Sequence, residues 1–298
     1  MARKSLLKTS KNWLIWRALV GAFTVGRRIP LGSGRSIGRR VGRLAHAVLP
    51  RDRRKALASL ATAFPGKSEA ERAALCRGTF EHLGQSLFEI FWLPNLSAGN
   101  FAATTLVEGV ENLRTACAQK RGVVLFAGHI GNWEWLSAAI ALGGFDMSTI
   151  ARDLYDPRIN DFVVRSRARH GVTSIGRGSA SSAKEILQTL KRGAILAALI
   201  DQNIDAECAD VPFFGVPAPT PTGPARLATR AGAMAIAAFI ERRDGMQIVT
   251  YGEPIPTSRE TDPTELTATM TLAIEAQIRR VPEQWVWMHE RWKARKTR

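Results

Sequence analysis

Two patterns of apolar residues divide the chain near Pro94. From about residue 33 to residue 93 the apolar positions recur at helical spacing, which predicts helices only. Within this part, Ser68 followed three positions later by Glu71 forms a capping box, so a long amphipathic helix is expected to begin there. After Pro94, short apolar runs alternate with amphipathic stretches, a pattern typical of strands connected by helices.

This alternation predicts an α/β fold, with a mostly parallel central sheet flanked by helices and preceded by an all-helical basic N-terminal region. The strands are expected at roughly 104–108, 122–127, 147–151, 194–200, 233–240 and 247–251. The helices are expected near 109–119, 133–142, 157–169, 180–191, 222–231 and 264–280. The Pro-rich apolar stretch 212–221 is predicted to be a loop. Functional groups of such sheets lie at the carboxyl ends of the strands, and His129 and Asp201 each follow a buried-type strand.

Residues 128–134, with the sequence GHIGNWE, carry the first candidate chemistry. His129 and Glu134 would be roughly 140° apart on one continuous helix, and on opposite faces of one continuous strand. They can converge only if the chain turns between them, and the two glycines of the stretch permit such a turn. Asn132 is a good N-cap, which places Glu134 in the first turn of a helix. The prediction is a strand, a tight turn that carries His129, and a helix that carries Glu134.

Such an arrangement suits the transfer of a group to a substrate hydroxyl. The neutral imidazole of His129 could take the hydroxyl proton, while Glu134 on its other nitrogen would hold the ring and stabilise the imidazolium. No serine or cysteine lies beside His129, so the attacking oxygen would be the substrate's own. The alternative is a loop histidine that hydrogen-bonds a nearby carboxylate and has no catalytic role.

Arginines near the ends of predicted elements are candidates for phosphate binding. Arg167 and Arg169 lie near the end of the helix that precedes Gly171, and Arg152 follows the strand at 147–151. Guanidinium groups bind phosphate through paired hydrogen bonds, but cations at a helix C-terminus could equally complement the helix dipole. Of the three, Arg169 is the favoured candidate and Arg152 a weaker one.

The net charge of +16 is concentrated at the N-terminus. Residues 1–55 hold fifteen Lys or Arg and one acidic residue, giving +14, whereas the rest of the chain is nearly balanced. A polyanionic surface is therefore the expected partner. Trp13, Trp16 and Phe23 interleave with these charges, which favours an anionic membrane and not nucleic acid. The apolar stretch 12–25 is shorter than the about 20 residues that cross a bilayer, so an interfacial helix is predicted, with a core helix as the alternative.

Five stretches, in the same order along most of the chain, resemble the late acyltransferases of lipid A biosynthesis. The GHIGNWE box after an apolar strand is similar to the H-x4-[DE] signature of the glycerolipid acyltransferase superfamily, and its wording resembles that of lauroyl and myristoyl transferases. The other stretches that fit are 61–72, 167–171, 201–202 and 282–295.

This resemblance implies a glycerolipid acyltransferase-like fold and a transfer of a fatty acyl chain from acyl carrier protein to a hydroxyl of a lipid A precursor. His129 would be the base, oriented by Glu134. The implied substrate-binding residues are Asn132, Arg152, Arg167, Arg169, Asp201 and Gln202. Backbone N–H groups of the Gly131-Asn132 turn, or a nearby arginine, are the expected donors to the oxyanion, and the loop at 212–221 would help to form the acyl path. Neither a metal nor an organic cofactor is expected.

The expected location is the cytoplasmic face of a bacterial inner membrane. Residues 1–50 would form a basic, membrane-associating helical region and residues 51–298 the α/β acyltransferase domain, with a phosphorylated glycolipid as acceptor. A second enzymatic reading is acyl transfer to another lipid, such as a phosphatidylinositol mannoside or a lysophospholipid. The unrelated alternative is a non-enzymatic protein that binds anionic surfaces through its basic N-terminus.

Overall fold

The chain, seen in a computed structural model, is described at residue 13 and over residues 16–18, 20–154, 156–178 and 181–293. Most of the basic N-terminal arm, part of the apolar stretch 12–25 and the end of the C-terminal stretch 282–295 therefore lie outside the described residues. Among the described residues, no helix is both long enough and apolar enough to cross a membrane.

The N-terminal part is helical, as predicted. Residues 20–26 are helical, and three longer helices follow, α1 (Leu31–Val48), α2 (Pro50–Ala63) and α3 (Glu69–Trp92). Helix α3 begins at the predicted capping box, because the Ser68 hydroxyl accepts from the backbone of Glu71 while the Glu71 side chain accepts from the backbone of Ser68. Helices α1 and α2 meet at Leu49.

Glycines bring α1 and α3 into backbone contact. A Cβ on Gly38 would lie 2.4 Å from the carbonyl oxygen of Gly84, and a Cβ on Gly42 would lie 2.1 Å from that of Phe80. Real Cβ atoms do not approach so closely, so neither position tolerates a side chain without separating the helices. The N-terminal region is thus fixed tightly to the helix that leads into the α/β part.

After Pro94 the predicted strands and helices are confirmed, within a few residues at their ends. The strands are β1 (Thr105–Glu108), β2 (Val123–Ala127), β3 (Met147–Ala151), β4 (Val172–Gly176), β5 (Ile195–Leu199), β6 (Cys208–Phe213), β7 (Val216–Pro221), β8 (Met234–Arg243), β9 (Met246–Tyr251) and β10 (Ile255–Pro256). The helices are α4 (Val110–Ala118), α5 (Trp133–Leu142), α6 (Pro157–Ala168), α7 (Ser182–Lys191), α8 (Gly223–Ala231) and α9 (Pro263–Arg280), and short 3₁₀ turns cover Leu93–Asn95 and Pro282–Gln284.

The described strands form a mostly parallel sheet in the order β1-β9-β8-β2-β5-β3-β4. The antiparallel pairs in this sheet are β8 with β9 and the short β10 with β8. Successive residues of β2 face opposite sides: Leu125 packs in one hydrophobic cluster with α5, and Phe126 packs in a second cluster with α9. Burial on both faces explains why the central strands are continuous apolar runs in the sequence.

The prediction of a loop at 212–221 is wrong. Residues Cys208–Phe213 and Val216–Pro221 pair as an antiparallel hairpin, separate from the main sheet. Its turn is tight because Phe214 and Gly215 both adopt positive φ, +54° and +76°. Prolines are tolerated in this two-stranded ribbon because each strand has only one paired edge, so a missing N–H can face outward.

Strand β4 was not predicted. Only Val172 and Ile175 of this strand are fully buried, and the polar Thr173 and Ser174 stand between them. The strand lies at the end of the sheet, paired with β3 alone, so it needs less apolar surface than the central strands. Its carboxyl end nevertheless lies at the same edge of the sheet as the other candidate residues.

Candidate active site

The predicted strand, turn and helix around His129 are confirmed. Strand β2 ends at Ala127 and helix α5 begins at Trp133, with Asn132 as N-cap whose side chain accepts from the Trp135 backbone at 3.2 Å. Gly131 adopts φ +62°, and a Cβ there would lie 2.2 Å from the carbonyl oxygen of Ile240. The turn therefore depends on glycine at this position both for its conformation and for its approach to β8.

His129 is oriented by Asp201. Its Nδ1 lies 2.7 Å from Oδ1 of Asp201, and its backbone N–H donates to Oδ2 at 2.7 Å. The indole N–H of Trp285 also donates to Oδ2, at 2.6 Å. The two residues meet because β2 and β5 are parallel neighbours in register, Ala127 beside Leu199, so the residues that follow each strand emerge together. With Nδ1 engaged, Nε2 of His129 is the nitrogen that can receive a proton.

Asp201 is a buried carboxylate that stays ionised. Burial by itself raises its pKa, but the charge of His129 and hydrogen bonds from His129 and Trp285 outweigh that effect and lower the pKa to about 2. A carboxylate held in this way fixes the tautomer of the neutral imidazole and stabilises its protonated form. The histidine and the carboxylate together form an acid–base pair at the carboxyl edge of the sheet.

The predicted contact between Glu134 and His129 is wrong. Glu134 instead forms a two-pronged ion pair with Arg167 of α6, at 2.8 Å from Nε and 2.5 Å from Nη2. The first turn of α5 carries its side chain toward α6, and the place beside Nδ1 of His129 is already taken by Asp201. Both members of the ion pair are largely buried, so Glu134 fixes the position of a cation in the site.

Three arginines line a cavity that opens beside His129. The cavity has a volume of about 720 Å³ and includes Arg152, Arg167 and Arg177 in its wall. Arg177 follows the unpredicted strand β4, and for that reason sequence reasoning missed it. Arg169, the favoured candidate, is the exposed C-cap of α6 and is not among the lining residues. The structure therefore does not place Arg169 in the cavity wall with the other arginines, and phosphate binding by Arg169 stays a prediction.

The wall of the cavity is mostly apolar. Side chains from both faces of the sheet contribute to it, among them Leu125, Leu136, Ile140, Met147, Ile150, Ile186, Ile200 and Leu227. Gln202 and His289 add polar groups to the wall that His129 also lines. Of the hairpin that was expected to form the acyl path, only Pro221 lines the cavity. The cavity has the size and lining of a site for a long apolar ligand with a polar end.

Asn132 supports the turn and does not face the cavity. Its side chain is buried, and its amide group donates to Oε2 of Glu89 at 3.1 Å. Glu89 in turn binds Arg35 of α1 and Arg242 of β8, each at 2.7 Å from Oε1. Burial raises the pKa of Glu89, but the two guanidinium groups outweigh it and lower that pKa to about 2. The expectation of a substrate contact for Asn132 is wrong because its polar atoms are already bonded within the protein.

The C-terminal segment packs against the turn that carries His129. The carbonyl oxygen of Gln284 accepts from the Gly131 backbone at 2.9 Å, and Ile130 forms a bridge with Trp285. Of the expected oxyanion donors, the N–H groups of the Gly131-Asn132 turn or a nearby arginine, the N–H of Gly131 is thus already bonded. Within the described part of the chain, no group of three or more His, Cys, Asp or Glu side chains is arranged to hold a metal ion.

A mostly parallel sheet that carries a histidine–carboxylate pair beside a large, mostly apolar cavity fits an acyltransferase. Over residues 1–294 the chain matches the family described as bacterial lipid A biosynthesis acyltransferase, and it belongs to that family.

Individual relatives agree with this membership. The chain is 28% identical to a lipid A biosynthesis palmitoleoyltransferase of Escherichia coli K12, over 96% of this chain and 92% of that protein. It is 29% identical to a lipid A biosynthesis lauroyltransferase of the same organism, over 96% and 93%. A phosphatidylinositol mannoside acyltransferase of Mycobacterium tuberculosis is 24% identical over about half of each chain, 52% and 50%. Of these three relatives, the two lipid A enzymes align along nearly the whole chain.

Proposed function

We propose that the protein transfers a fatty acyl chain from acyl carrier protein to a hydroxyl of a phosphorylated lipid A precursor, with His129 as general base and Asp201 as its orienting partner. The observation that carries the proposal is the hydrogen bond between Nδ1 of His129 and the buried Asp201, placed in the wall of a large apolar cavity. The acyl chain would occupy that cavity, and the polar acceptor would lie at its mouth.

The reaction has two steps. Nε2 of His129 takes the proton of the acceptor hydroxyl as the oxygen attacks the thioester carbonyl carbon, and the carbonyl π electrons move onto its oxygen. The tetrahedral intermediate then reforms the C=O bond, the C–S bond breaks, and the leaving thiolate takes the proton from the imidazolium of His129. An ester and a free thiol result, and the base returns to its starting state. Ionised Asp201 stabilises the imidazolium between the two steps.

The arginines of the cavity would bind the phosphate of the acceptor. Arg152 and Arg177 follow the neighbouring parallel strands β3 and β4, whose ends are in register at Ala151 and Gly176. Arg167 joins them from α6 and is held by Glu134. In this proposal Glu134 acts by fixing Arg167, a phosphate-binding cation, and does not act on His129. Guanidinium forks suit phosphate oxygens because they offer paired donors.

We expect the substitution Arg177→Ala to raise the KM for the phosphorylated acceptor about 10-fold, because a hydrogen bond to a charged group contributes about 1.5–3 kcal/mol to binding, and to leave kcat nearly unchanged. Arg169→Ala is the matched control, since that arginine lies outside the cavity. Steady-state kinetics with detergent-dispersed acceptor would measure both. Equal losses from the two variants would rule out a phosphate site at Arg177.

The exposed face of α1 supports membrane docking. Ile37, Val41, Leu44 and Val48 form a stripe at helical spacing, with side chains 45–62% exposed. The exposed Arg39, Arg40 and Arg43 lie between them in sequence. Apolar side chains bordered by cations are typical of a helix at the interface of an anionic membrane. Each basic residue near such a surface contributes about 1 kcal/mol of attraction. We infer peripheral association with the cytoplasmic face of the inner membrane.

The double substitution Val41→Asp with Leu44→Asp should weaken binding to vesicles of phosphatidylglycerol and phosphatidylethanolamine by at least about 10-fold, measured by sedimentation. Each substitution removes an apolar side chain whose transfer into the membrane contributes about 1.5–3 kcal/mol. Leu187→Asp with Leu272→Asp is the control, because these leucines are similarly exposed on α7 and α9. If both double variants sediment alike, the α1 stripe is not the docking surface.

Mass spectrometry of lipid A tests the function itself. A host that lacks its own late acyltransferases should gain one acyl chain on lipid A when it expresses this protein, and should not gain it with the His129→Ala variant. An unchanged lipid A together with a newly acylated phosphatidylinositol mannoside or lysophospholipid in vitro would assign the protein to another acceptor. Purified protein that binds anionic vesicles but transfers no acyl chain to any of these acceptors would favour the non-enzymatic alternative.

A further inference from the structure

The C-terminal segment brings a second histidine into the site. His289 lines the same cavity as His129, and the charges of His129 and Asp201 both act on its pKa. Burial is the largest influence and lowers the pKa of His289 from its ordinary value. A histidine whose pKa lies below about 6.5 is neutral at pH 7, so His289 can offer one N–H donor and one lone pair. The proton transfers proposed above make no use of it.

The position of His289 is fixed by bonds on both sides of it. Upstream, Trp285 donates to Asp201 at 2.6 Å. Downstream, Arg291 is buried and donates to the carbonyl oxygen of Pro219 in the hairpin at 2.5 Å. The carbonyl oxygen of His289 itself accepts from the hydroxyl of Ser59 at 3.5 Å. A side chain carried by so constrained a backbone is preorganised, as a group that stabilises a transition state must be.

The two ring nitrogens of His289 differ in their surroundings. Nδ1 is buried and has no hydrogen-bond partner among the described residues. A proton on Nδ1 would leave a buried donor unpaired, which proteins avoid more strictly than an unpaired acceptor. The proton therefore belongs on Nε2, and because the side chain lines the cavity, Nε2–H is the donor that the ring can present to a bound substrate.

Three backbone N–H groups of the turn that carries His129 are already bonded and do not serve the oxyanion. The N–H of His129 donates to Asp201, that of Ile130 to the carbonyl oxygen of Gly128, and that of Gly131 to the carbonyl oxygen of Gln284. Arg167 is held by Glu134 through two hydrogen bonds, and the proposed function assigns its remaining N–H groups, with Arg152 and Arg177, to the acceptor phosphate. A negative charge that develops in a largely apolar cavity is costly without a donor.

We propose that His289 donates its Nε2–H to the thioester carbonyl oxygen of the acyl donor and stabilises the oxyanion that forms there. The assignment rests on the proposed acyl transfer. His129 moves the proton, whereas His289 keeps its own proton throughout and strengthens its hydrogen bond as charge gathers on the oxygen. A neutral imidazole suits this role because it donates without a competing ion pair to Asp201. His289 is thus a second catalytic residue, contributed by a segment far from the histidine box in sequence.

Two substitutions of similar length separate this role from a structural one. His289→Gln keeps an N–H donor near the position of Nε2, whereas His289→Met fills the same space without a donor. We expect His289→Met to lower kcat about 10²-fold, as loss of an oxyanion donor does, with the KM of both substrates nearly unchanged. His289→Gln should recover about 10-fold or more of that loss. His289→Asn, whose amide is too short to reach, should behave like Met and replaces it if the Met variant does not fold.

His170→Gln is the matched control. This histidine is also buried with an Nδ1 that has no partner among the described residues, but it does not line the cavity. It should retain the wild-type kcat. Equal kcat values for the Gln, Met and Asn variants of His289, or a loss confined to the acceptor KM, would overturn the assignment. If the wild type and His170→Gln transfer no acyl chain in the same assay, the proposed function fails instead.

Discussion

Replacing Asp201 by asparagine should lower kcat by about 10⁴-fold, the loss known for the same change in the orienting carboxylate of a catalytic triad. The amide can still accept one hydrogen bond, from Trp285, but it cannot stabilise the imidazolium of His129. Because the pKa of Asp201 is lowered to about 2, the wild-type carboxylate is ionised over the whole range in which acyl transfer can be assayed. Single-turnover rates of transfer from acyl carrier protein would measure the effect.

Glu134→Gln is the matched control for Asp201→Asn. Both are carboxylate-to-amide changes, but Glu134 bonds Arg167 and not His129, so its effect should fall mainly on the acceptor KM and cost about 10-fold. Should Glu134→Gln lose as much kcat as His129→Ala while Asp201→Asn keeps a tenth or more of the wild-type rate, the box carboxylate would be the partner of His129 during turnover.

The substitution Gly131→Ala should destabilise the protein by about 2–5 kcal/mol. About 1–2 kcal/mol comes from placing a Cβ in the left-handed region at φ +62°. A further about 1–3 kcal/mol comes from overpacking, since that Cβ would lie 2.2 Å from the carbonyl oxygen of Ile240. The turn would also move His129 away from Asp201, so activity should be lost even in the protein that remains folded. Urea unfolding followed by circular dichroism would give the free energy.

Gly144→Ala provides the control for backbone strain alone. Gly144 has φ +86°, but a Cβ there would meet no atom within 4 Å. Its cost should therefore be limited to about 1–2 kcal/mol, and acyl transfer should continue. Equal destabilisation by the two alanines would mean that the contact between the turn and β8 relaxes without cost.

The elements of the fold that depend on a pattern of neighbouring residues could be predicted from the sequence. Central strands such as Val123–Ala127 are continuous apolar runs because both of their faces are buried, and the capping box at Ser68 announces α3. The errors concern elements with little apolar surface or unusual composition. β4 has polar residues between its two buried ones. The prolines of 212–221 favoured the prediction of a loop where the chain forms a hairpin.

The site shows the same division. The turn that carries His129 follows from glycines and an N-cap within a few residues of it. The partner of His129 does not, because Asp201 lies 72 residues further on and arrives through the parallel pairing of β2 with β5. The burial of Glu89 could have been predicted from the sequence, because this carboxylate lies on a predicted helix beside Leu87, Ile90 and Phe91. The role of His289 depends on where the C-terminal segment folds, which no local pattern states.

The glycine contact between α1 and α3 has a mechanical consequence. Where helices meet through interlocking side chains, rotamer changes let them slide, but Gly38 and Gly84 place backbone directly against backbone. Arg35 of α1 and Asn132 of the catalytic turn also share one carboxylate, Glu89. A docked α1 would then act as a rigid spacer, holding the base at a constant height above the lipid headgroups. An acceptor anchored in the same bilayer would meet His129 by diffusing in two dimensions, without being lifted out of the membrane.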